Sequence, residues 1–333
     1  MLFRVALILS FLFMAYFAMA GVSVYNRYRY RYRGDNPRDP ATVIGKGDVE
    51  LLSGDYLSGF YYAAYGAARP GTVIVFKGSE GSNNDEVARQ IRDHGYNVLG
   101  LYFFGQSNQQ SFLANVPLEF FDEVLTWIKK HGDPRGPITV LGVSKGAELV
   151  ANLAIRYSEI SNIVLYSPTA YNYQGLNFQQ ETLPSFTWHG DPLNYIRLRF
   201  FFFTGLKLLM HAPVSYRKIY ETSFSKADNR DAARIPIEKF SGQGLLFAGA
   251  QDAMWQGDCA VKSLTEWNRN LKGVVYQDAG HLFAEDINQY GPIWETMLGG
   301  TVQGNRVAKI QSDKLLFTYL SSWHAEDFSH EDR

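Results

Sequence analysis

Gly142-Val143-Ser144-Lys145-Gly146 sets a serine between two glycines, directly after the β-branched run Ile138-Thr139-Val140-Leu141 and before good helix formers from Ala147 to Tyr157. A serine hydroxyl is a poor nucleophile. An enzyme that uses one must expose its oxygen, hold a base beside it and stabilise the oxyanion that forms. The G-x-S-x-G form meets the first need when it makes a strained strand-to-helix turn, because the flanking glycines permit close backbone approach. Five residues with three fixed recur by chance, so the position between strand and helix gives the motif its meaning.

On such a turn the other members follow in the order acid, then histidine, each on a loop after a later strand. Asp252 follows Leu245-Leu246-Phe247-Ala248 through Gly249-Ala250-Gln251, and His281 follows a strand ending at Tyr276 through Asp278-Ala279-Gly280. His94 and His131 fall near helix ends, His189 and His211 in a long insertion, His324 and His330 in the tail. Asp258 and Asp278 rival Asp252 as the acid. The expected roles are proton removal from Ser144 by His281, and fixing of the imidazole tautomer by Asp252. The oxyanion needs two backbone N–H donors. Lys145 supplies one, and Ser79 or Glu80, in the glycine-bearing loop Gly78 to Ser82, supplies the other; such a donor is worth about 10²–10³ in rate. This chemistry requires no metal and no organic cofactor.

These residues need a scaffold of alternating strands and helices, and the sequence has that rhythm. Thr72 to Phe76 reads as a buried strand, Asp85 to His94 as a helix closed by Gly95, and Asn97 to Phe103 as the next strand. Pro117 opens a helix with Leu118, Phe121, Leu125 and Ile128 on one face. Ile138 to Leu141, Ile163 to Tyr166, Leu245 to Ala248 and Gly273 to Tyr276 complete the strands. The expected fold is α/β, of the α/β-hydrolase type: a mostly parallel sheet with helices on both faces and a cap-like insertion. The expected organisation is an N-terminal transmembrane anchor or signal segment at 1–25, a basic-aromatic juxtamembrane linker at 26–44, a hydrolase domain at 45–323 with its insertion at 167–240, and a polar tail at 324–333.

With those residues placed, the chain resembles the C-terminal catalytic domain shared by acyl-CoA thioester hydrolases and bile acid-CoA:amino acid N-acyltransferases. The likeness runs from about Val49 to Trp323. It rests on Ala114-Asn115-Val116-Pro117-Leu118-Glu119-Phe120-Phe121, the elbow through Leu149, Trp188-His189-Gly190-Asp191-Pro192-Leu193, Ile235-Pro236-Ile237-Glu238-Lys239, Gln251-Asp252-Ala253-Met254-Trp255, Ala279-Gly280-His281-Leu282 and Gly299-Gly300-Thr301. The resemblance implies a Ser or Cys nucleophile with Asp and His, matching Ser144, Asp252 and His281. Acyl-transferring members tend to carry cysteine, so serine implies hydrolysis by water. Two departures stand out. Gln256-Gly257 replaces the usual Pro-Ser after the tryptophan, and an anchor is expected where the family has a separate β-domain.

The 333 residues carry 32 Lys plus Arg against 33 Asp plus Glu, so no global field points to nucleic acid. A hydrophobic content of 46% supplies a core with aromatics to spare. The single cysteine, Cys259, excludes an internal disulfide and a cysteine metal cluster and fits a reducing compartment. Val5 to Tyr25 is free of charge, and such a helix reaches about 30 Å, enough for a hydrocarbon core. Arg27, Arg29, Arg31 and Arg33 alternate with tyrosines just past it, against Arg4 before it. The positive-inside rule then keeps the body cytoplasmic. The rival reading is an exported protein, with Ala18-Met19-Ala20 as the signal cleavage site.

In the insertion, Phe200 to Met210 is apolar and too short to span a bilayer. It is expected to form an acyl pocket, a lid touching the membrane surface, or plain packing of a cap helix. Phe201, Leu208 and, on the acid loop, Trp255 are the expected substrate-binding residues. The first expected function is hydrolysis of acyl thioesters, fatty acyl-CoA foremost. The alternatives are a carboxylesterase or lipase on oxygen esters, and a catalytically silent, membrane-tethered protein that binds lipid or a partner.

Overall fold

The computed structural model describes residues 2–31, 36–177 and 182–325; Tyr32, Arg33 and His330 lie outside them. Short apolar runs separated by amphipathic stretches can bury both faces only by stacking side by side between helical layers. Eight of them do so: β1 (Glu50–Ser53), β2 (Ser58–Tyr62), β3 (Thr72–Phe76), β4 (Val98–Leu101), β5 (Ile138–Val143), β6 (Ile160–Tyr166), β7 (Gln243–Gly249) and β8 (Leu271–Tyr276). They form one sheet in the order β1-β2-β4-β3-β5-β6-β7-β8. Strands β3 to β8 run parallel, and β1 and β2 are antiparallel additions at one edge.

Successive strand residues point to opposite faces, so two cores form. Val73 and Val75 of β3 join one, Ile74 and Phe76 the other. The Ile74 side is covered by α3 (Phe121–His131), α4 (Lys145–Ala154) and α7 (Gly257–Trp267), the Val73 side by α2 (Asp85–Asp93) and α8 (Val302–Trp323). α1 (Leu2–Arg29), α5 (Phe202–Leu209) and α6 (Arg217–Ser225) complete the longer helices. α1 continues four residues past Tyr25, because nothing in Asn26-Arg27-Tyr28-Arg29 breaks a helix.

Two expectations need correction. The helix expected at Pro117 begins at Phe121 instead, because Val116 and Pro117 pair with Phe186 and Thr187 as a short strand and Leu118–Phe120 forms a 3₁₀ turn. The insertion is also less irregular than its sequence implied. It contributes Phe186–Trp188 and Asp191–Pro192 to a three-stranded sheet, and Tyr173, Ile196, Leu198, Val214, Ile219 and Tyr220 to a small core of its own.

The insertion is tied to α4 by a buried ion pair. Lys145 Nζ donates to Glu148 Oε2 at 2.7 Å and to Ser185 Oγ at 2.8 Å, and Glu148 Oε1 accepts the Tyr173 N–H at 3.1 Å. Burial pushes the Lys145 pKa down and the Glu148 pKa up, and the pairing opposes both. Such a pair adds little net stability, but losing one partner strands a charge. Lys145→Met alone is therefore expected to destabilise the fold by about 3–5 kcal/mol. Adding Glu148→Gln, which keeps an acceptor for Tyr173, should restore most of it, as measured by denaturant unfolding of the full chain in detergent.

His324 does not belong to the tail. It caps α8 and sits under the sheet at 1% exposure, donating from Nδ1 to the Pro70 carbonyl at 2.7 Å and accepting at Nε2 from the Thr139 hydroxyl at 2.8 Å. Burial lowers its pKa from the usual 6.5; the Pro70 carbonyl pulls it up, and nearby Arg69 lowers it further. The unfolded chain thus binds a proton at this residue more readily than the fold does. Its contribution to stability is complete above a pH of about 6.5 and is lost as pH falls towards the lower folded value. Melting temperatures between pH of about 7.5 and 5.5 should fall more for wild type than for His324→Gln.

Candidate active site

β5 runs into the elbow and α4 leaves it, which forces Ser144 to φ 56° and ψ −120°. A non-glycine residue at such a positive φ costs about 1–3 kcal/mol and persists only where its surroundings impose it. Here the Ser144 N–H donates to the Tyr166 carbonyl at 2.9 Å and its own carbonyl accepts from the Ala147 N–H at 2.9 Å. The glycines are needed sterically. A Cβ at Gly142 would stand 2.2 Å from the Gly146 carbonyl oxygen, and one at Gly146 would stand 2.0 Å from that of Lys77.

The loops after β7 and β8 bring two more side chains to this turn. His281 Nε2 lies 2.8 Å from Ser144 Oγ, and His281 Nδ1 lies 2.8 Å from Asp252 Oδ2. All three residues are buried. An ionised carboxylate only accepts, so the proton of a neutral imidazole sits on Nδ1 and Nε2 is left to accept from the serine hydroxyl. Asp252 is itself fixed, its Oδ1 accepting the N–H groups of Met254 at 2.7 Å and Trp255 at 3.1 Å. The rival acids are elsewhere: Asp258 pairs with Arg217 at 3.0 Å, and Asp278 is exposed beside Gln251. Among the other described histidines, His94 stacks on Phe317, His131 on Trp127, and His189 lies against Trp188.

A shell that sequence reasoning did not single out holds these loops. Ser167 Oγ donates to the His281 carbonyl at 2.6 Å, while the Ser167 carbonyl accepts Trp255 Nε1 at 3.1 Å. The Leu298 carbonyl accepts the N–H groups of His281 at 2.7 Å and Ala253 at 3.3 Å. Gly299 bridges to Asp252 and Gly300 to Ala279. Buried Asn305 closes the set, accepting the Gly280 N–H at 2.8 Å and donating to the Gly299 carbonyl at 3.2 Å. The sequence motifs contained Trp255, Ala279-Gly280 and Gly299-Gly300, but nothing in them marked Ser167, Leu298 or Asn305 as partners of the two loops.

A cavity of about 390 Å³ opens beside Ser144. Gly78, Ser79 and Glu80 line it together with Ser144, and Lys145 begins α4 at the next residue. Met254, Leu282, Ile293, Met297 and Leu298 make the rest largely apolar, and Lys77, Tyr30 and Pro37 line it as well. The expected substrate residues lie apart from it. Phe201 caps α5 and Leu208 faces outward, both exposed, since an apolar run in a sequence does not reveal which way it points. Trp255 packs edge-on against the His281 ring at 5.7 Å and lines a different cavity, of about 250 Å³, behind the acid loop. Among the described residues no group of three His, Cys, Asp or Glu side chains is placed to hold a metal.

Human mitochondrial acyl-coenzyme A thioesterase 2 is 24% identical over 268 residues, covering 75% of this chain and 52% of its own. Mouse bile acid-CoA:amino acid N-acyltransferase is 25% identical over 219 residues, covering 64% and 48%. The chain thus spans about half the length of the curated relatives it matches. Among solved structures, an esterase from Pyrococcus furiosus superposes with a TM-score of 0.53 at 17% identity, covering 86% of this chain and 94% of that one. That likeness shows the fold, an α/β hydrolase. The family model described as BAAT / Acyl-CoA thioester hydrolase C terminal matches residues 116–294, more than half of the chain, and the chain belongs to that family.

Proposed function

We propose that this chain is a serine hydrolase that cleaves acyl thioesters, fatty acyl-CoA foremost, through an acyl-Ser144 intermediate. One observation carries the reading: the unbroken hydrogen-bonded line from Asp252 through His281 to the Ser144 hydroxyl, set against an apolar cavity. His281 Nε2 takes the Ser144 proton as Oγ attacks the thioester carbonyl carbon. The oxyanion is held by the Lys145 N–H and by that of Ser79 or Glu80. As the C–S bond breaks, the thiol leaves with the proton from His281. Water, deprotonated by the same nitrogen, then attacks the acyl-serine and releases the fatty acid. The choice of a thioester rests on family membership, because the triad chemistry serves oxygen esters equally well.

We further propose that α1 is a retained membrane anchor with the body on the cytoplasmic side. The helix spans Phe3–Arg29 and is long and apolar enough to cross a bilayer, its most apolar 18-residue window having a mean hydropathy of 2.3 with none of that window buried. Its basic end faces the body.

Three outcomes test the enzymatic reading on the full chain in detergent. Palmitoyl-CoA should be hydrolysed faster than p-nitrophenyl esters, and the reverse order would favour the esterase alternative. Ser144→Ala should lose about 10⁴-fold or more in kcat with its folding intact, and Asp252→Asn about 10³–10⁴-fold. A fluorophosphonate probe that fails to label Ser144 would favour the silent, binding-only alternative. The cavity adds a fourth outcome: Met297→Trp should lower kcat/KM for long acyl chains at least about tenfold more than for butyryl-CoA, because it removes volume at the apolar wall.

A further inference from the structure

The cap helix α5 is an anomaly in a water-soluble surface. None of its eight residues is buried; Phe202, Phe203 and Leu209 are 81%, 75% and 72% exposed, and Phe200 and Phe201 continue the apolar stretch. The insertion builds its core from other residues, Ile196, Leu198, Val214, Ile219 and Tyr220, and within α5 only Thr204 and Leu206 are half-buried, which leaves Phe202, Phe203 and Leu209 unexplained by packing. At about 12 Å it cannot span a bilayer.

Its position gives the explanation. The chain leaving α5 is bonded to the last turns of α1: Asn26 Nδ2 donates to the Met210 carbonyl at 2.9 Å, and Ser23 Oγ and Arg27 Nε meet the His211 ring at 3.1 Å. Those α1 residues mark the point where its charge-free run gives way to arginines. α5 therefore lies at the level where α1 leaves the hydrocarbon. The charges there are of one sign. Between Asp191 and Glu221 the sequence holds no carboxylate but has Arg197, Arg199, Lys207 and Lys218, with Arg217 set aside because it pairs with Glu221 and Asp258, and α1 carries no acidic residue at all. Exposed Arg27, Arg29 and Lys207 suit anionic headgroups, and exposed phenylalanines beside them suit the acyl boundary beneath.

We propose that α5 is a second, interfacial membrane contact, which together with α1 seats the mouth of the Ser144 cavity on an anionic bilayer surface. The proposal rests on the reading of α1 as a retained anchor and deepens it. Tyr30, one helical turn or about 6 Å beyond Asn26, is among the residues that line that cavity. A long acyl chain can then pass from the leaflet into the apolar wall of Met297 and Leu298 without crossing water. The substrate class this selects is a membrane-resident long-chain acyl thioester, its headgroup at the surface.

The test uses the full chain, with Cys259→Ser, reconstituted into vesicles of phosphatidylcholine with a minority of phosphatidylserine. A polarity-sensitive fluorophore is attached at Leu12→Cys, Phe203→Cys or Leu209→Cys. The expected result is a blue-shifted emission at all three, with the probes at 203 and 209 quenched by lipids brominated near the headgroup, and the probe at 12 quenched by deeply brominated lipids. A probe at 12 that is lipid-buried while those at 203 and 209 report water overturns the interfacial contact and leaves the anchor standing. A probe at 12 that reports water overturns both. As a second measurement, Phe203→Asp with Leu209→Asp should keep kcat/KM for butyryl-CoA within about twofold. It should lose about tenfold or more against palmitoyl-CoA supplied in vesicles. Equal changes for the two substrates would refute the route through the leaflet.

Discussion

Ser144 occupies a backbone conformation that a serine does not choose, and much of the site's geometry follows from the contacts that impose it. The sharp turn between β5 and α4 demands a positive φ, and it is kept by the Tyr166 carbonyl behind it and by two glycines whose neighbours leave no space for a side chain. Strain at one residue is affordable because the central strands and α4 are buried on every side. The reward is positional: the hydroxyl projects from the end of the sheet, where loops from β7 and β8 can reach it.

Those two loops would wander if left to themselves, and the structure meets the problem with one segment. Leu298, Gly299 and Gly300 bind the acid loop and the base loop together, and Asn305 on α8 anchors the segment in turn. The distance from Asp252 to His281 is thus set by residues that touch no reacting atom. Ser167 and Trp255 add a brace from the insertion side, holding the imidazole against the tryptophan edge.

The sequence made legible those features that follow local rules. β-branched runs became strands, the glycine-flanked serine fell between strand and helix, and the chain order of acid and histidine pointed to Asp252 and His281. Features that depend on tertiary partners did not show. α8 turns Asn305, Ala308, Ser312, Leu316 and Leu320 to the interior, and three of those five are small or polar, so no apolar stripe announced it. β1 and β2 are an edge hairpin with mixed exposure, which weakens their alternation. His324 looked like tail because its burial comes from Thr139 and Pro70, both distant in sequence. The apolar run around Phe201 and Leu208 was recognisable, but its direction was not, and direction decides whether such residues line a cavity or a surface.

The cavity beside Ser144 is lined on the one hand by Tyr30 and Pro37 and on the other by Ile293, Met297 and Leu298. Its two sides are therefore separated by most of the polypeptide. The nucleophile's turn is held by Tyr166 of β6, whereas the imidazole and the lining from Ile293 to Leu298 come from more than a hundred residues further on. A chain shortened before residue 281 would keep the serine and lose the base, and one shortened before residue 293 would lose the cavity's apolar lining, so the site is complete only when both ends of the chain contribute.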